Sequence, residues 1–564
     1  KGNGLWKTID QDWGNYNFET YLLLKPGTTP VVLGQKLAAI QRRNHSGDGN
    51  AYLIQPFTQL HLYNADGSAP GLRIVQTFIL IALLILLIAS INYVNLSTAR
   101  SMLRSKEVSI RKIIGAEKSQ IFFQFIIETT LIYLIALILA FGLILLSMPA
   151  YNSLTNKTLS LNLASLDVWL IIGCSLFLTL LADSIYPAIL LSSFKPLEAL
   201  KGKVSASLGN VSFRRVLVII QFTFSIALII TTIIIGKQLD FINHSELGYN
   251  REHVFAIELP ENMQPHYAAI RAELLGQASI KAVSASDQNI IRISNSSGDA
   301  DWEGKDPKMS FIIVQAAIDA SFIPDFGLAM ISGSRNFNTN GSDSSSFILN
   351  QTAVKEIGMK NPIGKHLKYH NQNGTIIGVL KDFHFASMRE KIKPAIFFYR
   401  NSWFSTVFIK TTTEQSPAAI LATSRVWKKY SSEYPFEYHF LDESFDELYK
   451  SETRIAELFS FFAAIAVLIC CLGLFGLAAF TAQVKTREIG IRKVLGASMF
   501  SVVYIMVADF LLLVLVALLI AIPIAWLAMN SWLKAYAYHV TIGWSIFVFS
   551  GFVAILIALI TVSF

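Results

Sequence analysis

Seven apolar runs, each long enough to cross a bilayer, dictate what this chain can become. A spanning helix needs about 20 mostly apolar residues. Six regions reach that length: Ile74–Ala99, Ile121–Met148, Val168–Leu191, Val216–Ile235, Leu458–Phe480 and Val502–Met529. A seventh runs from Ile542 to Phe564. A buried soluble core accounts for one such run, not for seven. Composition agrees. Of 564 residues, 53% are hydrophobic and 15% charged, where a soluble domain carries about 25% charged residues. The chain reads as an α-helical transmembrane bundle.

The short loops orient it. Residues 100–117 carry Arg100, Arg104, Lys106, Arg111 and Lys112; residues 194–215 carry Lys195, Lys201, Lys203, Arg214 and Arg215; residues 481–498 carry Lys485, Arg487, Arg492 and Lys493. The alternate loops, 148–167 and 530–541, hold only Lys157 and Lys534. The positive-inside rule places the three basic loops in the cytosol. Residues 238–455 then lie outside, long enough for a folded domain. They hold strand-like runs at 253–259, 310–318 and 374–380, a helical stretch from Ser416 to Tyr434, and turn clusters at 338–346 and 370–374. This reads as an α+β domain. Residues 1–71 resemble the end of a similar one.

The sequence is also a repeat. Arg104–Ala116 aligns with Lys485–Ala497, 381 residues later, with six of thirteen positions identical. The match continues upstream: 21–30 parallels 407–417, and 57–63 parallels 445–449. From the repeat we expect about 170–175 further residues before Lys1, a tail after Phe564, and eight spans in the complete protein. In each copy the repeated phrase encodes a short amphipathic helix. Glu107 and Arg111, like Glu488 and Arg492, stand at i,i+4 in the favourable order. Gly115 and Gly496 fit a helix stop. Two readings compete: an interfacial helix anchored to anionic membrane lipid, and a docking helix for a cytosolic partner. The repeated detail of Glu, IRK and GA favours docking, because lipid anchoring needs only basic charge and an apolar face.

The phrases "TREIGIRKVLGAS" (486–498) and "SKEVSIRKIIGAE" (105–117), each leading into a span, resemble the FtsX-like and MacB-like permeases of ABC transporters of type VII architecture. "NPIGKHL" with "GTIIGVLKDFHF" (361–385) and "FLDESFDELYKSE" (440–452) are similar to that family's MacB-like periplasmic core domain. The two-copy form looks like a fused permease. The resemblance implies a cytosolic ABC ATPase as partner, expected as a homodimer. It implies mechanotransmission through the spans to the periplasmic domains, and localisation in a bacterial inner membrane. A periplasmic or outer-membrane partner is a further possibility. It assigns ATPase coupling to Glu107, Arg111, Lys112 and Gly115 and to Glu488, Arg492, Lys493 and Gly496. Ser109 stands where Gly490 does, so the two helices need not bind equally. The expected layout is the end of a first periplasmic domain at 1–71 and a three-span FtsX-like unit at 72–193 with its helix near 104–116. A linker follows at 194–215 and a span at 216–237. A second periplasmic core occupies 238–455, and a second three-span unit 456–564 with its helix near 485–497.

Other chemistry finds little support. No G-x-x-x-x-G-K-[ST] loop occurs, so ATP hydrolysis is expected on a separate subunit and no cofactor is expected here. Net charge is +8 without basic-aromatic interleaving, which gives no sign of nucleic-acid binding. Cys174, Cys470 and Cys471 lie in apolar runs without zinc-site spacing. His366 and His370 would suit a metal only on a helix, yet their surroundings read as strand and turn, with both on one side of it. Asp382 and His384 read as a structural corner. Glu128 and Asp509 stand out as carboxylates inside spans at the same offset of 381. Such residues are costly and often functional. The alternatives are therefore a proton-coupled exporter using this pair, a carboxylate paired with a base of the neighbouring helix, or a non-transporting regulator of cell-envelope hydrolases.

Overall fold

The computed structural model describes residues 20–44, 52–64, 67–155, 157–193, 208–306, 309, 311–337, 346–370, 372–431, 433–496 and 498–563. Lys195, Lys201, Lys203, Ala497, most of the 338–346 turn cluster and residues 1–19 lie outside them. The chain forms two compact units, residues 1–91 and 92–564.

Helix α1 (Pro30–Asn44) and the start of α2 (Pro70–Leu103) belong to the first unit. Beyond it come the short α3 (Ser105–Ile113), then α4 (Lys118–Thr155), α5 (Leu166–Ser193) and α6 (Leu208–His244). The apolar runs at 74–99, 121–148, 168–191 and 216–235 fall on α2, α4, α5 and α6. Helix α6 has 37 residues, about 55 Å at 1.5 Å per residue. That exceeds a hydrocarbon core of about 30 Å, so the helix continues into the extramembrane domain.

The segment after α6 alternates strands and helices: β1 (Val254–Glu258), α7 (Tyr267–Leu275), β2 (Ala282–Ser286), β3 (Ser296–Ser297), β4 (Asp301–Trp302), β5 (Ile313–Ala317), α8 (Phe322–Phe326), β6 (Met330–Gly333), β7 (Ser346–Asn350), α9 (Gln351–Ile357), β8 (His366–Tyr369), β9 (Gln372–Leu380), β10 (Ala395–Phe398), β11 (Thr406–Lys410), α10 (Ser416–Tyr430), β12 (His439–Phe440) and α11 (Leu441–Leu448). Two sheets result. One runs β12-β1-β11-β2, all antiparallel. The other runs β3-β5-β10-β7-β9-β8-β4, with β6 also on β9, and is mixed: β5/β10 and β7/β9 are parallel. Fully buried β7 and β10 side chains lie in its middle, while β8 alternates, Leu367 and Tyr369 in and His366 and Lys368 out. Asn350, fully buried, caps α9 by accepting from Ala353 N–H at 2.9 Å. The same oxygen accepts from Ala395 N–H at 2.8 Å, and the amide donates to Lys393 O at 2.9 Å.

The expected helix Ser416–Tyr434 ends at Tyr430. Its counterpart α1 has the same length of 15 residues, displaced by 386 (416 − 30). The chain returns to the membrane through α12 (Lys450–Val484), the short α13 (Thr486–Val494), α14 (Met499–Leu533) and α15 (Trp544–Ser563). Helix α6 touches α12, α14 and α15, and α15 also touches α12 and α14. Among the described residues seven helices have the length and apolar character of spans. The membrane-helix and α+β architecture read from the sequence is what the structure has.

Candidate functional site

The repeated phrase folds twice into a nine-residue helix, α3 and α13. Each helix is stopped by its glycine, with φ +109° at Gly115 and +90° at Gly496. Gly115 N–H donates to Lys112 O at 3.2 Å and Ala116 N–H to Arg111 O at 3.0 Å, the paired bonds of a Schellman end. Gly496 N–H donates to Lys493 O at 3.1 Å. A left-handed residue is needed at both places, which accounts for the repeated glycine.

The i,i+4 pairs form in both copies. Arg111 Nη2 lies 2.7 Å from Glu107 Oε1, and Arg492 Nη2 lies 2.7 Å from Glu488 Oε1. In the first copy the pair belongs to a closed ring of side chains. Arg111 Nη1 donates to Gln124 Oε1 at 2.8 Å, and Gln124 Nε2 donates to Glu128 Oε1 at 2.9 Å. Arg104 grips Glu128 with both terminal nitrogens, at 2.7 and 3.3 Å, and reaches Glu107 at 3.4 Å. The ring fastens α3 to the base of α4. In the second copy Lys485 Nζ stands 3.9 Å from Asp509 Oδ2, and Ile505 occupies the place of Gln124.

The apolar residues of these helices point outward. Ile110, Ile113 and Ile114 are exposed, and so are their counterparts Ile491, Val494 and Leu495; Ile114 and Leu495 are each 80% exposed. A groove of about 320 Å³ beside α3 is lined by Arg111, Ile114, Ala116, Gln120, Ile121 and Gln124. The copies differ beneath. Val108 and fully buried Ser109 seat α3 with Ile121, Phe125 and Ala188 nearby, whereas α13 buries no residue and Gly490 is exposed. Lys112 is half-buried, and burial together with nearby Lys118 lowers its pKa; Lys493 is exposed.

The other sequence candidates are placed separately. His366 opens β8 and is exposed. His370 does not continue along the strand on the same side, as its spacing had implied. Its φ of +48° turns the chain, because its backbone N–H reaches Asp299 Oδ2 at 3.0 Å and its ring reaches Gln315 at 2.6 Å. Burial opposes ionisation of Asp299, but bonds from His370 and Ser297 prevail and hold it at about 2. Asp382 accepts from Thr352 N–H at 3.0 Å and from its hydroxyl at 2.7 Å. The His384 ring stands edge-on to Tyr538 at 4.6 Å, and burial lowers its pKa. Among the described residues no three His, Cys, Asp or Glu side chains gather as a metal site.

Sequence reading missed Gln124 and the role of Arg104. Both sit one or more turns from a named residue, on helices whose packing no local pattern reveals. A polar residue four positions before Glu128 was the available signal.

The FtsX-like permease C-terminal family matches residues 79–196 and 460–564. The two matches begin 381 residues apart (460 − 79), the offset of the repeated phrase. No curated protein sequence matches the chain. Among solved structures it is similar to the periplasmic region of MacB from Actinobacillus actinomycetemcomitans, at 14% identity and TM-score 0.27, over 36% of this chain and 96% of that one. It is also similar to the extracellular domain of the noncanonic ABC-type transporter YknZ from Gram-positive bacteria, at 17% identity and TM-score 0.25, over 33% of this chain and 98% of that one.

Proposed function

We propose that this chain, which carries two FtsX-like permease domains, is the membrane subunit of an ABC transporter driven by a separate cytosolic ATPase. The observation that carries the reading is the repeated short helix on the basic side. Both copies present an exposed apolar edge beside a fixed Glu–Arg pair. Exposed apolar side chains rimmed by charge mark a surface for a protein partner. Two such surfaces in one chain suit a twofold motor. The Glu107–Arg111 and Glu488–Arg492 pairs fix the helix surfaces, Lys112 and Lys493 add charge, and Gly115 and Gly496 end each helix before the next span.

In this mechanism closure of the ATPase dimer on ATP pushes the two short helices. Helices α4 and α14, which follow them, carry the displacement across the membrane to the extramembrane domains. The substrate class is export of a drug, a peptide or a lipoprotein-like molecule, and the site of action is a bacterial inner membrane. Glu128 is engaged by Arg104 and Gln124 rather than facing open space, which favours a structural tie over proton carriage.

The test is reconstitution. The full-length chain in lipid nanodiscs, mixed with candidate ABC ATPases of the same organism, is expected to bind one of them stably and to raise its ATPase rate. No binding and no stimulation would refute the reading.

A further inference from the structure

We infer that Arg389 is the positioning residue of a joint through which α12 and α14 move the extramembrane domain. The inference rests on the ATPase-driven reading above. The segment 384–392 follows β9 and leads into β10, and the turn 534–540 joins α14 to α15. The two are laced together. Ala537 N–H donates to Arg389 O and Tyr538 N–H to Met388 O, each at 3.2 Å. The Tyr538 ring packs on His384.

Arg389 reaches one span and the turn that follows another at once. Its Nη2 lies 2.7 Å from Glu452 Oε1, in the first turn of α12. The same nitrogen donates to Tyr536 Oη at 3.3 Å, and the guanidinium sits 5.0 Å from the Tyr536 ring centre. Glu452 is only 7% exposed at its side chain. A carboxylate so buried needs its partner: it is poorly solvated without Arg389. Met388 N–H donates to Tyr449 Oη at 2.9 Å, just before α12 begins.

A third span holds the same turn. Gln238, fully buried near the outer end of α6, donates to Tyr538 O at 3.1 Å and accepts from Val540 N–H at 2.9 Å. The joint is continuous with the domain core, where Tyr536, Met388, Phe383 and Phe385 share one apolar cluster with β10. The path is physical at each end. Helix α14 starts three residues after Gly496 and continues to Leu533, beside the turn, with Pro523 inside it. A continuous helix, a hydrogen-bonded clasp and a charged pin let an axial or rotational movement of the spans reach the sheets. Charge alone would not serve: guanidinium geometry lets one side chain hold the carboxylate and the phenol together.

The experiment uses the full chain in nanodiscs, Cys174, Cys470 and Cys471 replaced, with the partner ATPase. One spin-label pair, at positions 118 and 487, reports the inner-face helices. A second, at 356 and 450, reports the domain against α12. In the otherwise unaltered chain ATP is expected to change both distances. Arg389→Ala is expected to leave the inner change at full amplitude and to cut the outer change at least three-fold. Glu452→Gln, which keeps the shape, is expected to do the same, and the exchange R389E with E452R to restore it. An outer change of full amplitude in both Arg389→Ala and Glu452→Gln overturns the joint while leaving the ATPase reading intact. A chain in which neither distance responds to ATP overturns both.

Discussion

Arg104 and Glu128 are joined through both terminal guanidinium nitrogens, at 2.7 and 3.3 Å, so a residue just before α3 is pinned to a carboxylate on α4. The pair at the equivalent positions, Lys485 and Asp509, is a single contact at 3.9 Å. A bidentate arginine pair is stronger and better directed than a lysine contact at the edge of ion-pair range. One short helix is therefore fastened to its span more firmly than the other.

Glu128→Gln is expected to loosen α3 and lower stimulated ATPase activity about five-fold, the equivalent of about 1 kcal/mol at the upper end for a partly exposed pair. Asp509→Asn is expected to change it less than two-fold. ATPase rates at saturating ATP, measured on the reconstituted complex, decide the matter. Equal effects would contradict the asymmetry.

The seam between α2 and α12 makes a separate prediction. Asn92 Nδ2 donates to Ile469 O at 3.3 Å, and a Cβ added at Gly473 would stand 2.4 Å from Asn92 Oδ1 and 2.8 Å from its Cγ. Asn92 and Gly473 are themselves 381 apart, so repeat-equivalent positions meet, one with bulk and one without. Gly473→Leu is expected to destabilise the protein by about 1–3 kcal/mol through overpacking. Thermal unfolding in detergent measures it, and Asn92→Ala in the same chain should recover much of the loss.

Acidity should stabilise the extramembrane domain. Burial pushes the carboxyls of Asp287 and Asp319 up to about 6 from an ordinary 3.8. The folded state therefore binds these protons more tightly than the unfolded chain. Their contribution is fullest below about pH 4, falls as pH rises through about 6, and is flat above, with roughly 3 kcal/mol at stake per carboxyl. Asp299, held at about 2, acts only below this window. The midpoint of thermal unfolding, followed by tryptophan fluorescence of the full chain, is expected to drop from pH 4.5 to pH 7. The double variant D287N with D319N should flatten that slope; an unchanged slope would count against the assignment.

What the sequence made legible was local. Apolar length disclosed the spans, short strand-like apolar runs disclosed β1, β5 and β9, and a phrase written twice disclosed α3 and α13 with their glycine stops. The tie from Arg104 to Glu128 spans 24 residues and two helices, and a base beside an intramembrane carboxylate was one of the readings the sequence left open. The hidden parts are long-range. Arg389 meets Tyr536 across 147 positions, and β5 pairs with β10 in parallel across some 80 residues. Such contacts depend on how elements pack, and no window of a single chain contains both partners. Neither Gln238 nor Glu452 shows in its own neighbourhood that it anchors a distant turn.

The most direct measurement of the central claim alters the two exposed apolar edges together. Ile114 and Leu495 are both 80% exposed, so Ile114→Asp with Leu495→Asp should leave folding intact. With the docking helices assigned correctly, the double variant in nanodiscs loses at least ten-fold in affinity for the partner ATPase and all of its stimulation, while its unfolding midpoint stays unchanged. Unaltered affinity and stimulation in that variant would contradict the claim.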